Sequence, residues 1–309
     1  MSDIRTAERF APYQLPLPLR SLALCLQEAR PSVQVIFLLR FAAAYLLAAG
    51  VSAGSLAALP LPAFAWLCAT FYVYLVNGVH DAPEDRVNGS GRPIGRGALP
   101  PRTARRVARA AALLAVAAAV FCPQPVLFTA LVVVHLAAGH LYSAPPFALK
   151  RNSLGAIAVV LVLGGATFAA AWVSAGAAGR GVHVAVIGAA LTLWMGLVGA
   201  LVKDLSDRRG DTEAGRRTAV IVWGERRTRA VCAVNPVLLG ALFVAAALAL
   251  APELLAAACV MLAGGIATAA LTLTTHSAEP RHRSRLPYRA FMLTQYGVCV
   301  TQLGQVLAV

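Results

Sequence analysis

The chain has 309 residues, of which 59% are hydrophobic and only 13% charged, with a mean hydropathy of +0.71 and a formal net charge of +14. A soluble fold needs far more polar surface than this, so the composition excludes two water-soluble domains and leaves one polytopic membrane domain. The basic surplus would suit nucleic acid, but its placement, described below, excludes that partner.

The first ~30 residues contain Pro12, Pro16 and Pro18 and no apolar core followed by a cleavage site, so no signal peptide is expected. The expected organisation is an N-terminal segment over 1–31, placed in the cytoplasm by the charge pattern below, then a single transmembrane domain over 32–309. Nine stretches are long and apolar enough to span a bilayer: roughly 32–50, 58–76, 104–122, 126–142, 155–174, 184–202, 231–250, 253–274 and 289–308. They are rich in Ala, Leu, Val and Gly, which favours helices packed through small faces; no period-two alternation supports a β-barrel. The expected fold class is therefore an all-α integral membrane protein of nine transmembrane helices.

Charge orients these spans. Of 27 Lys and Arg, 25 lie in the N-terminal segment or in the connections and opening turns after spans two, four, six and eight; only Arg40 and Arg180 fall elsewhere. The positive-inside rule then puts the N-terminus and these connections in the cytoplasm and the C-terminus outside, as expected for a protein of the cell inner membrane. Arg40 sits inside the first span, where an ion pair or snorkelling is expected ahead of contact with an acidic acceptor. His135 and His140, in the fourth span, are expected to be buried, hydrogen-bonded and neutral. The six cysteines show no C-x-x-C spacing and define neither a zinc site nor a disulfide framework.

Seven of the 13 acidic residues lie in two clusters at span ends, N-G-V-H-D-A-P-E-D at 77–85 and K-D-L-S-D-R-R-G-D at 203–211 with Glu213 just beyond. Carboxylates at a membrane boundary are costly unless offset, and they default to a functional reading. Asn77, Asp81 and Asp85 are spaced four apart; Asp204, Asp207 and Asp211 follow i, i+3, i+7. On a helix each set shares one face. Pro83 is expected to bend or end the helix carrying the first. Side-chain oxygens so arranged suit a hard divalent cation, and Mg²⁺ binds through one or two carboxylates plus substrate phosphates. Four spans separate the clusters, a spacing that would let their acidic ends face each other across one cavity. The adjoining Arg92, Lys150 and Lys203 suit phosphate oxygens. Arg281 and Arg283, in a basic loop with no comparable motif, are expected to matter little.

At these residues the chain resembles the UbiA superfamily of intramembrane prenyltransferases. The first cluster, continued by R-V-N-G-S-G-R-P-I-G-R-G, is similar to the family's N-x-x-x-D-x-x-x-D motif and its following run. The second, K-D-L-S-D-R-R-G-D-T-E-A-G-R-R-T, resembles the family's second acidic motif. The connection Tyr142, Ser143, Pro145, Pro146, Leu149 and Lys150 matches a third. The resemblance implies nine helices around a cavity, a cytoplasmic cap over a diphosphate site and a lateral opening to lipid. It implies Mg²⁺ as cofactor, held by Asn77, Asp81, Asp85, Asp204, Asp207 and Asp211. It also implies an isoprenyl diphosphate contacted by Asn77, Arg92, Ser143, Lys150 and Lys203, with membrane lipid around it and an aromatic acceptor. Tyr142 either hydrogen-bonds the diphosphate or faces the allylic cation with its ring. Two departures stand out: Gly78 follows Asn77 where the family's prenyltransferases usually have Asp, and a P-E-D element (Pro83, Glu84, Asp85) replaces the commoner spacing residues. These resemble divergent members, some of them terpene cyclases. Prenyl transfer is the expected activity, cyclisation of a linear prenyl diphosphate the alternative, and transport the third reading.

Overall fold

The structure, a computed structural model, describes residues 17–177 and 179–308; most of the proline-bearing N-terminal stretch lies outside them. Among these residues all regular structure is helical. α1 (Leu17–Glu28) precedes α2 (Pro31–Ala49), the short α3 (Ala53–Ala58), α4 (Pro60–Val87), α5 (Pro101–Ala119), α6 (Pro125–Ser143) and α7 (Ser153–Ser174). α8 (Gly181–Leu193) runs through one π-helical turn (Trp194–Gly199) into α9 (Ala200–Glu213). Then come α10 (Ala219–Val222), α11 (Glu225–Leu250), α12 (Leu255–Thr274), α13 (Arg281–Ser284) and α14 (Leu286–Leu307).

Seven of these helical stretches are long and apolar enough to cross a membrane: α2, α3–α4, α6, α7, α8–α9, α11 and α12 with its leading turn. α5 and α14 occupy the third and ninth expected spans. α5 carries Arg102, Arg105, Arg106 and Arg109 in its first half and buries a stripe of alanines, Ala104, Ala108, Ala111, Ala115 and Ala119, against the bundle. That is an amphipathic pattern rather than a uniformly apolar one.

α2 packs on α4, α7 and α14, and the chain closes around it through α4, α6, α7, α8, α11, α12 and α14. Close approach relies on small residues: a Cβ on Gly199 would strike the Phe291 ring, and one on Gly265 would strike the Pro236 carbonyl. Phe41, Trp66 and Phe128 form an aromatic knot at the core, and the wholly buried His135 lies on Trp66 with its ring 4.6 Å away. His140 departs from expectation: it is exposed, and its Nδ1 lies 3.0 Å from the Tyr72 hydroxyl.

Two helices run further than the sequence suggests. α4 continues through Pro83 to Val87, so Asn77, Asp81 and Asp85 all lie on regular helix. α9 likewise carries the second acidic cluster to Glu213. The π turn between α8 and α9 is matched by a specific donor, Asn235 Nδ2, which reaches the Leu197 carbonyl at 2.9 Å. Single π turns recur at functional positions because they re-aim the following helix face.

Candidate active site

The two acidic helix ends meet. Asn88, capping α4, accepts from the Gly210 backbone N–H of α9 at 3.0 Å. The connections that follow are tied as well, with Arg217 N–H donating to the Arg151 carbonyl at 2.7 Å. Ion pairs complete the junction. Arg216 Nη2 lies 2.7 Å from Asp81 and 3.0 Å from Glu84, while its Nη1 lies 3.3 Å from Asp211. Lys150 Nζ reaches the same Asp81 oxygen at 2.6 Å. Arg92 Nη1 pairs with Asp85 at 2.8 Å and stands 3.9 Å from Asp81. Lys203 pairs with Asp207 at 3.0 Å one helical turn on.

These pairs are buried, so their protonation is set by competition between desolvation and neighbouring charge. Burial pulls the Lys150 ammonium below the ordinary lysine value, and the Asp81 charge and hydrogen bond oppose that pull. Burial acts on Arg216 in the same sense, but Asp81, Asp211 and Glu84 together outweigh it and hold the guanidinium above its ordinary value.

Two adjoining cavities open among these residues. The inner one, about 130 Å³, brings together Asn77, Asp81, Tyr142, Lys150, Lys203 and Arg216, with Ile36, Phe37, Val73, Leu163 and Phe291 as its apolar side. The outer one, about 510 Å³, is lined by Asp85, Arg92 and Asp207 together with residues of α2 and α14. Most of the expected site residues thus converge. Asp204, Asp211 and Ser143 line neither cavity. Asp204 instead accepts from Ser153 Oγ at 3.1 Å, a hydroxyl that itself accepts from Ala219 N–H. Asp211 has one oxygen on Arg216 and leaves Oδ2 buried without a partner. Ser143 Oγ accepts from Asn77 Nδ2 at 3.3 Å, which fixes the asparagine.

The donor set suits a hard cation in chemistry: all the side-chain ligands on offer are oxygens, and Asp211 Oδ2 is a buried acceptor with nothing to accept. Among the described residues no three His, Cys, Asp or Glu side chains are gathered closely enough to hold a metal alone. That arrangement fits a cation that takes only one or two carboxylates at a time and completes its shell with phosphate and water.

Three residues behave differently from expectation. Arg40 is wholly buried and lines the inner cavity, yet no carboxylate among the described residues pairs with it. Its guanidinium donates to the Gln295 carbonyl oxygen and the Met195 sulfur and lies over the Phe37 ring, so neither ion pair nor snorkelling accounts for it. Arg281 is no bystander, because its Nη2 lies 3.3 Å from Asp207. Glu28, at the end of α1, is fully buried and was not singled out in the sequence at all. Its Oε1 lies 2.8 Å from Arg92, its Oε2 accepts from Ile94 N–H at 2.8 Å, and its backbone carbonyl accepts from Arg92 Nη2 at 2.9 Å.

Gly78 explains how Glu28 fits. A Cβ there would collide with the Glu28 carboxylate and the Arg92 guanidinium, so the glycine that breaks the usual motif makes room for a carboxylate delivered from α1. The only available signal was a lone acid in an otherwise uncharged stretch before Arg30. Removing one partner of a buried pair costs about 3–5 kcal/mol. Glu28→Ala is therefore expected to lower the melting temperature of the purified protein clearly and to loosen the 92–96 segment in hydrogen exchange. Unchanged melting would show that Glu28 carries no such role.

With this geometry in place, the class is clear: an all-helical integral membrane protein with a paired acidic and basic site at one end of its bundle. Residues 37–294 match the family model for the UbiA prenyltransferase family, and the chain belongs to that family. A digeranylgeranylglyceryl phosphate synthase of Halobacterium salinarum is 34% identical over 169 residues, 55% of this chain and 58% of that protein. A probable homogentisate phytyltransferase 2 of Oryza sativa subsp. japonica is 33% identical over 155 residues, 48% of this chain and 40% of that protein. These matches thus span about half the length of each relative. Among solved structures, a UbiA homolog from Archaeoglobus fulgidus bound to GPP and Mg2+ superposes with a TM-score of 0.69 at 17% identity, covering 93% of this chain and 100% of that one. This last likeness shows the shared fold.

Proposed function

We propose that the protein is a Mg²⁺-dependent intramembrane prenyltransferase that ionises an isoprenyl diphosphate and passes the prenyl group to an acceptor. The observation that carries this reading is the meeting of Asp81, Asp85 and Asp207 with Lys150, Lys203, Arg92 and Arg216 at the mouth of an apolar cavity. Asn77, Asp81, Asp85 and Asp207 would hold the cation, with Asp204 and Asp211 as the deeper members of the set. When bound, Mg²⁺ supplies positive charge to the departing diphosphate oxygens.

The chain's own residues do the rest. Without substrate, Lys150 and Arg92 neutralise Asp81 and Asp85 and keep four buried charges tolerable. With substrate, the same ammonium and guanidinium lie within reach of phosphate oxygens and stabilise the leaving group as its charge grows. The allylic C–O bond breaks with its electron pair going to the diphosphate; the acceptor's nucleophilic atom forms the new bond and releases a proton. Ile36, Phe37, Val73 and Leu163 exclude water from the cation. Tyr142 offers its hydroxyl or its ring at the same place.

α5 and α14 complete nine spans in this reading, with 1–31 as a cytoplasmic segment and the site under a cap at the cytoplasmic face of the inner membrane. Arg40 weighs for transfer over cyclisation. An uncompensated guanidinium in the cavity wall raises the energy of a carbocation migrating inward, which a cyclising chain requires. Transport is disfavoured because the carboxylates sit at one end of the bundle rather than at its middle.

Purified protein incubated with Mg²⁺ and isoprenyl diphosphates of ten to twenty-five carbons is expected to form prenylated product only when an acceptor is added. Cyclic hydrocarbons formed without acceptor would establish cyclisation instead, and full turnover in excess chelator would remove the metal.

A further inference from the structure

A separate basic pocket lies between α4, α5 and α6, and no residue lines both it and either of the two cavities above. It measures about 140 Å³ and gathers Arg105 and Arg109, one helical turn apart on α5, with His80 of α4 and His140 of α6. Among the described residues no carboxylate lines it and neither arginine has an ion-pair partner. The Tyr72 hydroxyl, 3.0 Å from His140 Nδ1, occupies that ring nitrogen and leaves Nε2 for a ligand. Two guanidinium forks and two imidazoles, with no acid among them, make a donor set for an oxyanion. The volume takes a few water-sized groups, hence one phosphate head but no polypeptide segment.

Position narrows the choice of anion. His80 stands two turns, about 10 Å, before the end of α4 at Val87, and His140 one turn before the end of α6. His80 also lines a smaller cavity with Lys150 and Arg216, so the pocket opens at the same end of the bundle as the acidic clusters. Its arginines belong to α5, which occupies the third expected span without being apolar enough to count among the seven. α5 buries its alanine stripe and exposes Arg105, Arg109 and, one turn further on, Leu113 at 73%. Cations followed by a bare apolar side chain on one helix face suit a surface that meets lipid heads and then lipid tails. A free phosphate would use the charges and leave Leu113 bare.

We propose that the pocket between α4, α5 and α6 holds the phosphate of an anionic phospholipid. Arg105 and Arg109 grip the phosphate oxygens, His140 Nε2 adds a donor, and an acyl chain lies along α5 past Leu113. Basic pockets between spanning helices are where such headgroups bind. The lipid has a structural consequence as well. Its charge offsets the arginines that make α5 a poor span, and so holds that helix in the bilayer against α4 and α6. This inference needs only that the bundle sits in a membrane and is independent of the prenyl-transfer reading.

The test uses purified, delipidated full-length protein in a neutral detergent. It is titrated with dioleoyl phosphatidylglycerol, dioleoyl phosphatidylcholine or inorganic phosphate, and bound lipid is read by native mass spectrometry. Phosphatidylglycerol is expected to bind at least about tenfold more tightly than phosphatidylcholine, whose choline offsets the phosphate, and to raise the melting temperature. Arg105→Gln/Arg109→Gln should bring the two lipids to within about twofold of each other. Arg102→Gln/Arg106→Gln removes the same charge from the same helix but not from the pocket, and should keep the preference. If the first variant does not fold, Arg109→Gln alone should still cut the preference by about threefold, and an unchanged preference there would overturn the inference. Equal binding of the two lipids by the unaltered protein overturns it as well. So does an equal loss in both double variants, which would mean a diffuse basic rim. Displacement of the lipid by an equal concentration of inorganic phosphate would make the site one for the free ion, and the lipid assignment would fall.

Discussion

Asp81→Asn is expected to lower turnover by about a hundredfold or more, the scale of losing a directly engaged electrostatic group. The substitution preserves shape and removes one negative charge. In the unaltered protein that charge is shared by Lys150 at 2.6 Å and Arg216 at 2.7 Å on one oxygen, with Arg92 3.9 Å from the other. The amide would leave two buried cations short of a counter-charge and deprive a divalent ion of an anionic ligand, so affinity for metal and diphosphate should fall together. Removing one partner of a buried pair also costs about 3–5 kcal/mol, and melting must be measured alongside turnover. Asp81→Glu keeps the charge and is expected to retain more activity than the amide; Arg102→Ala, an exposed change on α5, should leave turnover as it is. Equal turnover of Asp81→Asn and the unaltered protein at saturating Mg²⁺ and isoprenyl diphosphate would place the chemistry elsewhere.

Much of this site can be read from the sequence because it is written in local spacing. The four-residue steps from Asn77 to Asp85 and the pattern from Asp204 to Asp211 put side chains on helix faces whatever the tertiary fold does. Helix ends were harder. Pro83 looks like a break, yet tertiary packing carries α4 through it to Val87. The partners of each charge were not legible. Nothing in the letters says that Asp204 turns to Ser153 on α7, that Arg281 reaches Asp207, or that Glu28 arrives from α1 to occupy the space left by Gly78. Those contacts join residues from about fifty to more than seventy positions apart, and a single chain's periodicity carries no information at that range. Arg40 shows the limit from the other side: a cation inside a span suggests an acidic neighbour, whereas its contacts here are a thioether, a carboxamide and a ring.

Arg216 is where the two halves of the site are joined, and Arg216→Ala is expected to damage both stability and turnover more than loss of any other single cation. Its guanidinium bridges Asp81 and Glu84 on α4 to Asp211 on α9 and is itself only 8% exposed. Among the described residues no other cation contacts carboxylates of both acidic helices. Alanine would leave three carboxylates facing one another with Lys150 as the nearest counter-charge, a loss of about 3–5 kcal/mol by analogy with other broken buried pairs. Melting should fall by several degrees, and turnover should fall with it as the two helix ends separate. Arg216→Lys restores charge but not the fork that reaches two helices at once, so it should recover only part of each. Added Mg²⁺ distinguishes an electrostatic cause from a packing defect. If mutual repulsion is the damage, the cation should raise the melting temperature of Arg216→Ala by more than it raises that of the unaltered protein, because it binds the folded state's crowded carboxylates preferentially. An equal rise in both would mean that the arginine acts by filling space, and the account of the junction as a charge-balanced seam would fail.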